Sequence, residues 1–328
     1  MAQKTAAARV AAVFLLTVAA ILGLLLWAVQ AGGLEVGVGQ LLRGIFIRYD
    51  KDVAVVLQLR FPRIAVALLG GMLMSVSGVL MQAVMRNPLA DPGIIGVTSG
   101  AALSATVASL LLPALAVWAP LFSFFGGMVA FAIVYLLAWN GQVSPVRLIL
   151  VGVAVNACFS GLNSAFSVSY TGAASLVNGN ISLQTWSEAR LLLICGAVGL
   201  ICCMVLARQC NLLALTDQTA HGLGVRVNRS RFLISVFSVL MAGVFTAVIG
   251  SVSFLGLVVP HIARLLVGSN HKVLIPYSAL LGALIFLLAD TVGRTIAYPY
   301  EISASVIMAV VGGPAFIVLL KRSKRLYG

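Results

Sequence analysis

The chain has 328 residues, of which 61% are hydrophobic and 9% charged, with a mean hydropathy of +1.11 and a formal net charge of +13. A water-soluble domain carries about 25% charged residues, so this composition excludes an ordinary soluble protein. The Lys and Arg residues sit at the ends of apolar windows and no nucleic-acid-reading motif accompanies them, so the positive charge reads as membrane topology and not as a nucleic-acid partner.

The first apolar window, residues 10–29, follows Lys4 and Arg9. It is longer than the secretory h-region of about 7–15 residues, so it reads as a retained first span. Further windows lie at 64–84, 148–168, 191–207, 232–250, 252–267, 273–288 and 302–320. Between Asp91 and Arg147 the 55 intervening residues carry no Asp, Glu, Lys or Arg and break at Pro113 and Pro120, which predicts two spans joined by a tight turn. A crossing of roughly 30 Å takes about 20 apolar residues as a helix, so the windows predict an all-α, polytopic membrane protein with about ten transmembrane helices in a single domain over 1–328. Counting Lys and Arg in alternate connections places 14 on the side of the termini and 7 on the other, which predicts cytoplasmic termini.

Within this frame, Gly96 and Gly100 form a small-xxx-small pattern suited to close helix packing. Residues 210–231 form a polar stretch of 22 residues on the cytoplasmic side. It is too short for a domain and long enough for two short helices, so it reads as a docking surface for a partner. The five cysteines, Cys158, Cys195, Cys202, Cys203 and Cys210, show no paired CxxC spacing and read as small core residues. His221, His261 and His271 have no metal spacing, so no metal site is expected. The nine methionines on apolar helices read as gap-filling core.

Asn156, Ser160 and Asn163 stand at i, i+4 and i+7 of an otherwise apolar helix and therefore share one face. Polar side chains inside a membrane face either a watery path or a neighbouring helix, so this stripe is a candidate pathway lining with interhelical hydrogen bonding as its alternative.

Several motifs follow one another along the chain. Leu59-Arg60-Phe61-Pro62-Arg63 precedes an apolar span, after which come Gln82, Arg86-Asn87-Pro88-Leu89-Ala90-Asp91-Pro92-Gly93 and Gly96. Ala220-His221-Gly222-Leu223-Gly224 lies in the polar stretch, followed by Phe254-Leu255-Gly256-Leu257 leading to Pro260, His261 and Arg264, then Ala289-Asp290 with Arg294, and Gly312-Gly313-Pro314. In this order, over nearly the whole chain, they resemble the iron-chelate and vitamin B12 permease family of ABC importers. One departure is visible: where many relatives carry Glu-Leu-Pro-hydrophobic-Gly before the last span, this chain has Glu301-Ile302-Ser303-Ala304-Ser305.

The resemblance implies a permease subunit in the bacterial cytoplasmic membrane, working as a homodimer with two cytoplasmic ATPases and an extracytoplasmic substrate-binding protein. Ferric siderophore is the first expectation for its substrate, with haem or cobalamin as alternatives. By the same resemblance, Arg60, Arg63 and Arg294 dock the binding protein, against an alternative of headgroup snorkelling or an internal pair such as Asp290 with Arg294. Leu212, Asp217, Ala220, Gly222, Leu223, Gly224 and Val225 couple to the ATPase. Gln142, Val143, Ser144, Pro145 and Val146 close the inner mouth, or else form a plain turn.

No lysine completes a G-x-x-x-x-G-K-[ST] loop, so ATP and Mg are expected on the partner and no cofactor on this chain. An ion-coupled secondary transporter is the competing class. It would be expected to carry ionisable residues near mid-membrane, and the only plausible one, Asp290, stands close to an outer end, which argues against ion coupling. An intramembrane enzyme has no HExxH, and Ser99 lacks the preceding glycine of a G-x-S-G site.

Overall fold

The computed structural model describes residues 2–31, 37, 39–40, 43–44, 47, 50–140, 142–143, 145–169, 181–182 and 184–327. In chain order its helices are α1 (Ala2–Gln30), α2 (Lys51–Met85), α3 (Val97–Leu111), α4 (Ala119–Ala138), α5 (Pro145–Ser169), α6 (Trp186–Leu213), α7 (Asp217–Gly222), α8 (Val227–Ile249), α9 (Leu255–Val267), α10 (His271–Thr295) and α11 (Ala304–Tyr327). A 3-10 turn over Pro113–Trp118 joins α3 to α4, and a two-residue hairpin, β1 (Trp139–Asn140) with β2 (Gln142–Val143), joins α4 to α5. Seven helices are long and apolar enough to cross a bilayer, and α3, α9 and Ala304–Val318 of α11 are shorter apolar helices, so ten apolar helices stand among the described residues.

The centre of the bundle is α2, which packs against α10, α8, α6 and α9. A helix that is apolar all round has no solvent face to protect, and α2 is buried almost continuously from Pro62 to Met85. Lipid tails are as apolar as leucine, so helix association here rests on close packing and interhelical hydrogen bonds. Both are visible. Gly71 meets the backbone of Gly282 on α10, and Gly78 meets that of Gly256 on α9, where no side chain would fit. Ser77 and Ser238 exchange bonds between α2 and α8, each hydroxyl donating to the other's backbone carbonyl at 2.7 and 2.9 Å. Such a bond contributes about 0.6 kcal/mol in a membrane protein.

The small-xxx-small pair also finds its partners. Gly100 of α3 packs against Gly126 of α4, while Gly96, at φ +85°, starts α3 against the backbone of Asn156 on α5. At 1.5 Å per residue the 13 residues of α9 span about 20 Å, short of the roughly 30 Å core. The window at 252–267 is therefore not one continuous crossing helix. Gly250 at φ +90° ends α8, and Phe254 at φ +66° starts α9, leaving residues 250–254 non-helical between them. Irregular backbone at membrane depth is tolerated where it is buried in protein or lines a watery cavity.

Candidate translocation pathway and its flanking sites

The non-helical break lines a cavity of about 650 Å³. Ser99 of α3, Ser160, Asn163 and Ser164 of α5, Ser251 and Ser253 of the break, and Glu301, Ser303 and Ser305 before and at the start of α11 supply its polar wall. A second cavity of about 310 Å³ adjoins it, sharing Ser160, Ser251 and Ser253, and adds Asp91, Thr98 and Asn156. The sequence-derived stripe is thus brought to one polar space: Asn156 and Ser160 line the second cavity, Ser160 and Asn163 the first. Ser303 and Ser305 both line the larger cavity.

Asp91 is buried, with Oδ1 accepting from the Gly93 N–H at 2.6 Å and Oδ2 without a hydrogen-bond partner. Burial pushes its carboxyl up to about 6, against the lowering effect of the Gly93 and Ile94 N–H groups. The Asp91 Oδ2 lies against Gly256, in the first turn of α9, where a β-carbon would stand 2.7 Å from it. That turn has no side-chain cap of its own, and a carboxylate beside a helix N-terminus complements its dipole.

At the end of the bundle holding Glu301, charges gather in a buried network. Arg63 of α2 binds Asp290 of α10 through Nη2 at 2.8 Å and Nε at 3.0 Å, and binds Glu301 through Nη1 at 2.8 Å. Arg294 stands 3.3 Å from Asp290 and donates to Ala28 O and Ala31 O, while Arg60 donates to Val29 O. Two arginines therefore cap the C-terminal end of α1, where cations and donors satisfy the last carbonyls. Of the three arginines expected at the docking surface, Arg63 and Arg294 are buried, at 7% and 5% exposure, and Arg60 is half-buried. Burial acts to raise the Glu301 carboxyl, but hydrogen bonds from Arg63 and Ser182 outweigh it and hold the group below the usual carboxylate range.

At the opposite end, the polar stretch contains one free helix, α7, and not two, because α6 runs on to Leu213 and α8 already begins at Val227. Thr216 caps α7, and Asp217 joins it to Arg231 of α8 at 3.0 Å and to Arg86, the left-handed C-cap of α2. Ala220 is buried, Leu212 and Val225 are half-buried, and Gly222, Leu223 and Gly224 form the exposed tip, with Leu223 at 62% exposure and Gly224 at φ +78°. Of the expected inner-mouth residues, Gln142 and Val143 form β2, Pro145 and Val146 open α5, and Ser144 lies outside the described residues. Among the described residues no group of three or more His, Cys, Asp or Glu side chains is placed to hold a metal.

This architecture has relatives. A family model, the FecCD transport family, matches residues 15–322. The chain belongs to the FecCD transport family. A relative from Staphylococcus aureus (strain Newman), "Probable heme-iron transport system permease protein IsdF", is 39% identical over 276 residues, covering 84% of this chain and 85% of that one. A metal-chelate type ABC transporter solved in an inward-facing conformation superposes with a TM-score of 0.81 at 28% identity, covering 95% of this chain and 99% of that one. PsaBC from Streptococcus pneumoniae, solved with a Fab, shares the fold at a TM-score of 0.60 and 16% identity over 89% of this chain. This FecCD member is accordingly a multi-pass transport permease. The distant pairs Arg63–Asp290 and Arg86–Asp217 and the Ser251 and Ser253 wall escaped sequence reasoning, although Arg63, Arg86 and Asp290 all lie within the quoted motifs.

Proposed function

We propose that this FecCD permease forms the pathway of a binding-protein-dependent ABC importer for an iron chelate, with both termini cytoplasmic and a second copy completing the route. The observation that carries this reading is the serine-lined space at the interrupted α8–α9 segment, because polar, non-helical backbone at membrane depth suits a watery path. The cavity's α5 wall belongs to a helix that packs chiefly on α3 and α4 among the described elements and leaves Leu150, Val153 and Leu162 bare, which suits a twofold partner across it. The 142–146 turn would close the inner mouth. The tip of α7 would receive a cytoplasmic ATPase that holds ATP and Mg, and Asp217–Arg86 would carry its movement to α2. The binding protein would dock at the other end, meeting Arg60 at the surface, with Arg63 and Arg294 acting through the charge network beneath.

The test is uptake of radioactive iron chelate by proteoliposomes holding the permease, its ATPase and its binding protein. The reading expects accumulation that requires ATP and the loaded binding protein. Uptake driven by an ion gradient without ATP would overturn it in favour of a secondary transporter.

A further inference from the structure

We infer that the pathway is built for hydrophilic iron chelates that are neutral or positively charged, and that it discriminates against anionic, largely apolar ones such as an iron porphyrin dicarboxylate. This rests on the reading of the serine-lined space as the route.

The argument starts from what the walls can offer. Ser99, Ser160, Ser251, Ser253, Ser303 and Ser305 are hydroxyls that both donate and accept, which suits the amide, hydroxamate and hydroxyl groups of a hydrophilic chelate. Among the described residues the ionisable side chains on the walls are Glu301 in the larger cavity and Asp91 in the smaller, and both are acids. Neither wall contains Lys, Arg or His among the described residues. The sequence from 148 to 187, which runs through α5, likewise contains no Asp, Glu, Lys, Arg or His.

Arg63 stands behind Glu301, buried at 7% exposure and lining neither cavity, so the carboxylate is the charged group presented to the space. A ligand carboxylate entering here would meet Glu301 or Asp91 first, and the nearest guanidinium, Arg63, is already held by Glu301 and Asp290, so its desolvation would go uncompensated. Broad apolar walls would suit a porphyrin, and among the described residues the walls hold one aromatic ring, Phe254, and no His, Cys, Met or Tyr to meet its iron. The volumes of about 650 and 310 Å³ suit a compact polar chelate moving between two weak stations.

The experiment reads the charge preference directly. In the assembled transporter in lipid nanodiscs, with the five native cysteines replaced, Ser160→Cys and Ser305→Cys are each reacted with two methanethiosulfonates of matched size, one a trimethylammonium and one a sulfonate. Rates are divided by those of a free thiol in solution. The ammonium should be favoured by about tenfold, the order expected of one carboxylate within a few ångströms. Glu301→Gln should cut that preference several-fold at Ser305→Cys. If the cysteine-free chain does not assemble, Ser305→Cys in the native background, with the native chain as blank, gives the same ratio. Equal rates, or a faster sulfonate, would overturn the charge preference while leaving the route intact. Inertness of both cysteines toward both reagents would overturn the route itself, and the preference with it.

Discussion

Arg63 and Asp290, 227 residues apart in the chain, form a buried ion pair in which Nη2 and Nε lie 2.8 and 3.0 Å from the same carboxylate oxygen. Asp290 is 1% exposed and also faces Arg294, so it balances two guanidinium groups. Removing one partner of such a pair leaves uncompensated buried charge, which costs about 3–5 kcal/mol. Asp290→Asn should therefore lower the unfolding transition of the permease in nanodiscs markedly, and adding Arg63→Met should recover part of the loss. An unchanged transition in Asp290→Asn would mean that water, not Asp290, satisfies the arginines.

Arg60 separates docking from folding. Its bond to Val29 O caps α1, but it is the least buried of the three arginines at that end. Arg60→Glu should weaken association with the binding protein and flatten its salt dependence, since exposed pairs are screened over about 10 Å at 0.1 M. The measurement is affinity at low and high salt. Unchanged affinity would remove Arg60 from the docking surface.

Leu223 offers a clean test of coupling because it packs on little, at 62% exposure. Leu223→Asp should abolish co-purification of the ATPase with no shift in the permease's unfolding transition, since surface substitutions stay within about 0.5 kcal/mol. Retention of the ATPase and of ATP-driven uptake would sink the role of the α7 tip. Arg86→Ala should instead keep the ATPase bound but lose its stimulation by loaded binding protein, because it severs α7 from α2 and leaves the tip intact.

Asp91 should leave a signature in pH. Its folded carboxyl titrates at about 6 against 3.8, so between those values the folded state holds a proton that the unfolded chain has lost. Stability contributed by the protonated form is complete below about pH 4 and lost by about pH 6, a span on the order of 3 kcal/mol. Asp91→Asn keeps an acceptor for the Gly93 N–H without the charge, so its stability relative to the native chain should rise across that window. A constant difference between the two unfolding curves from pH 4 to 6 would show that the dipole of α9 already offsets the burial.

The apolar windows were sufficient to predict an all-helical membrane protein of about ten helices, because crossing hydrocarbon is a demand that each segment meets alone. The Asn156, Ser160 and Asn163 stripe was legible for the same reason, since a helix's own period decides which side chains share a face. What each face meets is not local. Only the folded bundle put Ser251 and Ser253 of a broken helix beside that stripe, and only it brought Glu301 to Arg63 across 238 residues. The motifs marked Arg63, Asp290 and Arg294 as notable without saying whether they faced a partner or one another. That choice belonged to tertiary packing, because a buried charge must find its counter-charge on whichever helix the fold sets beside it.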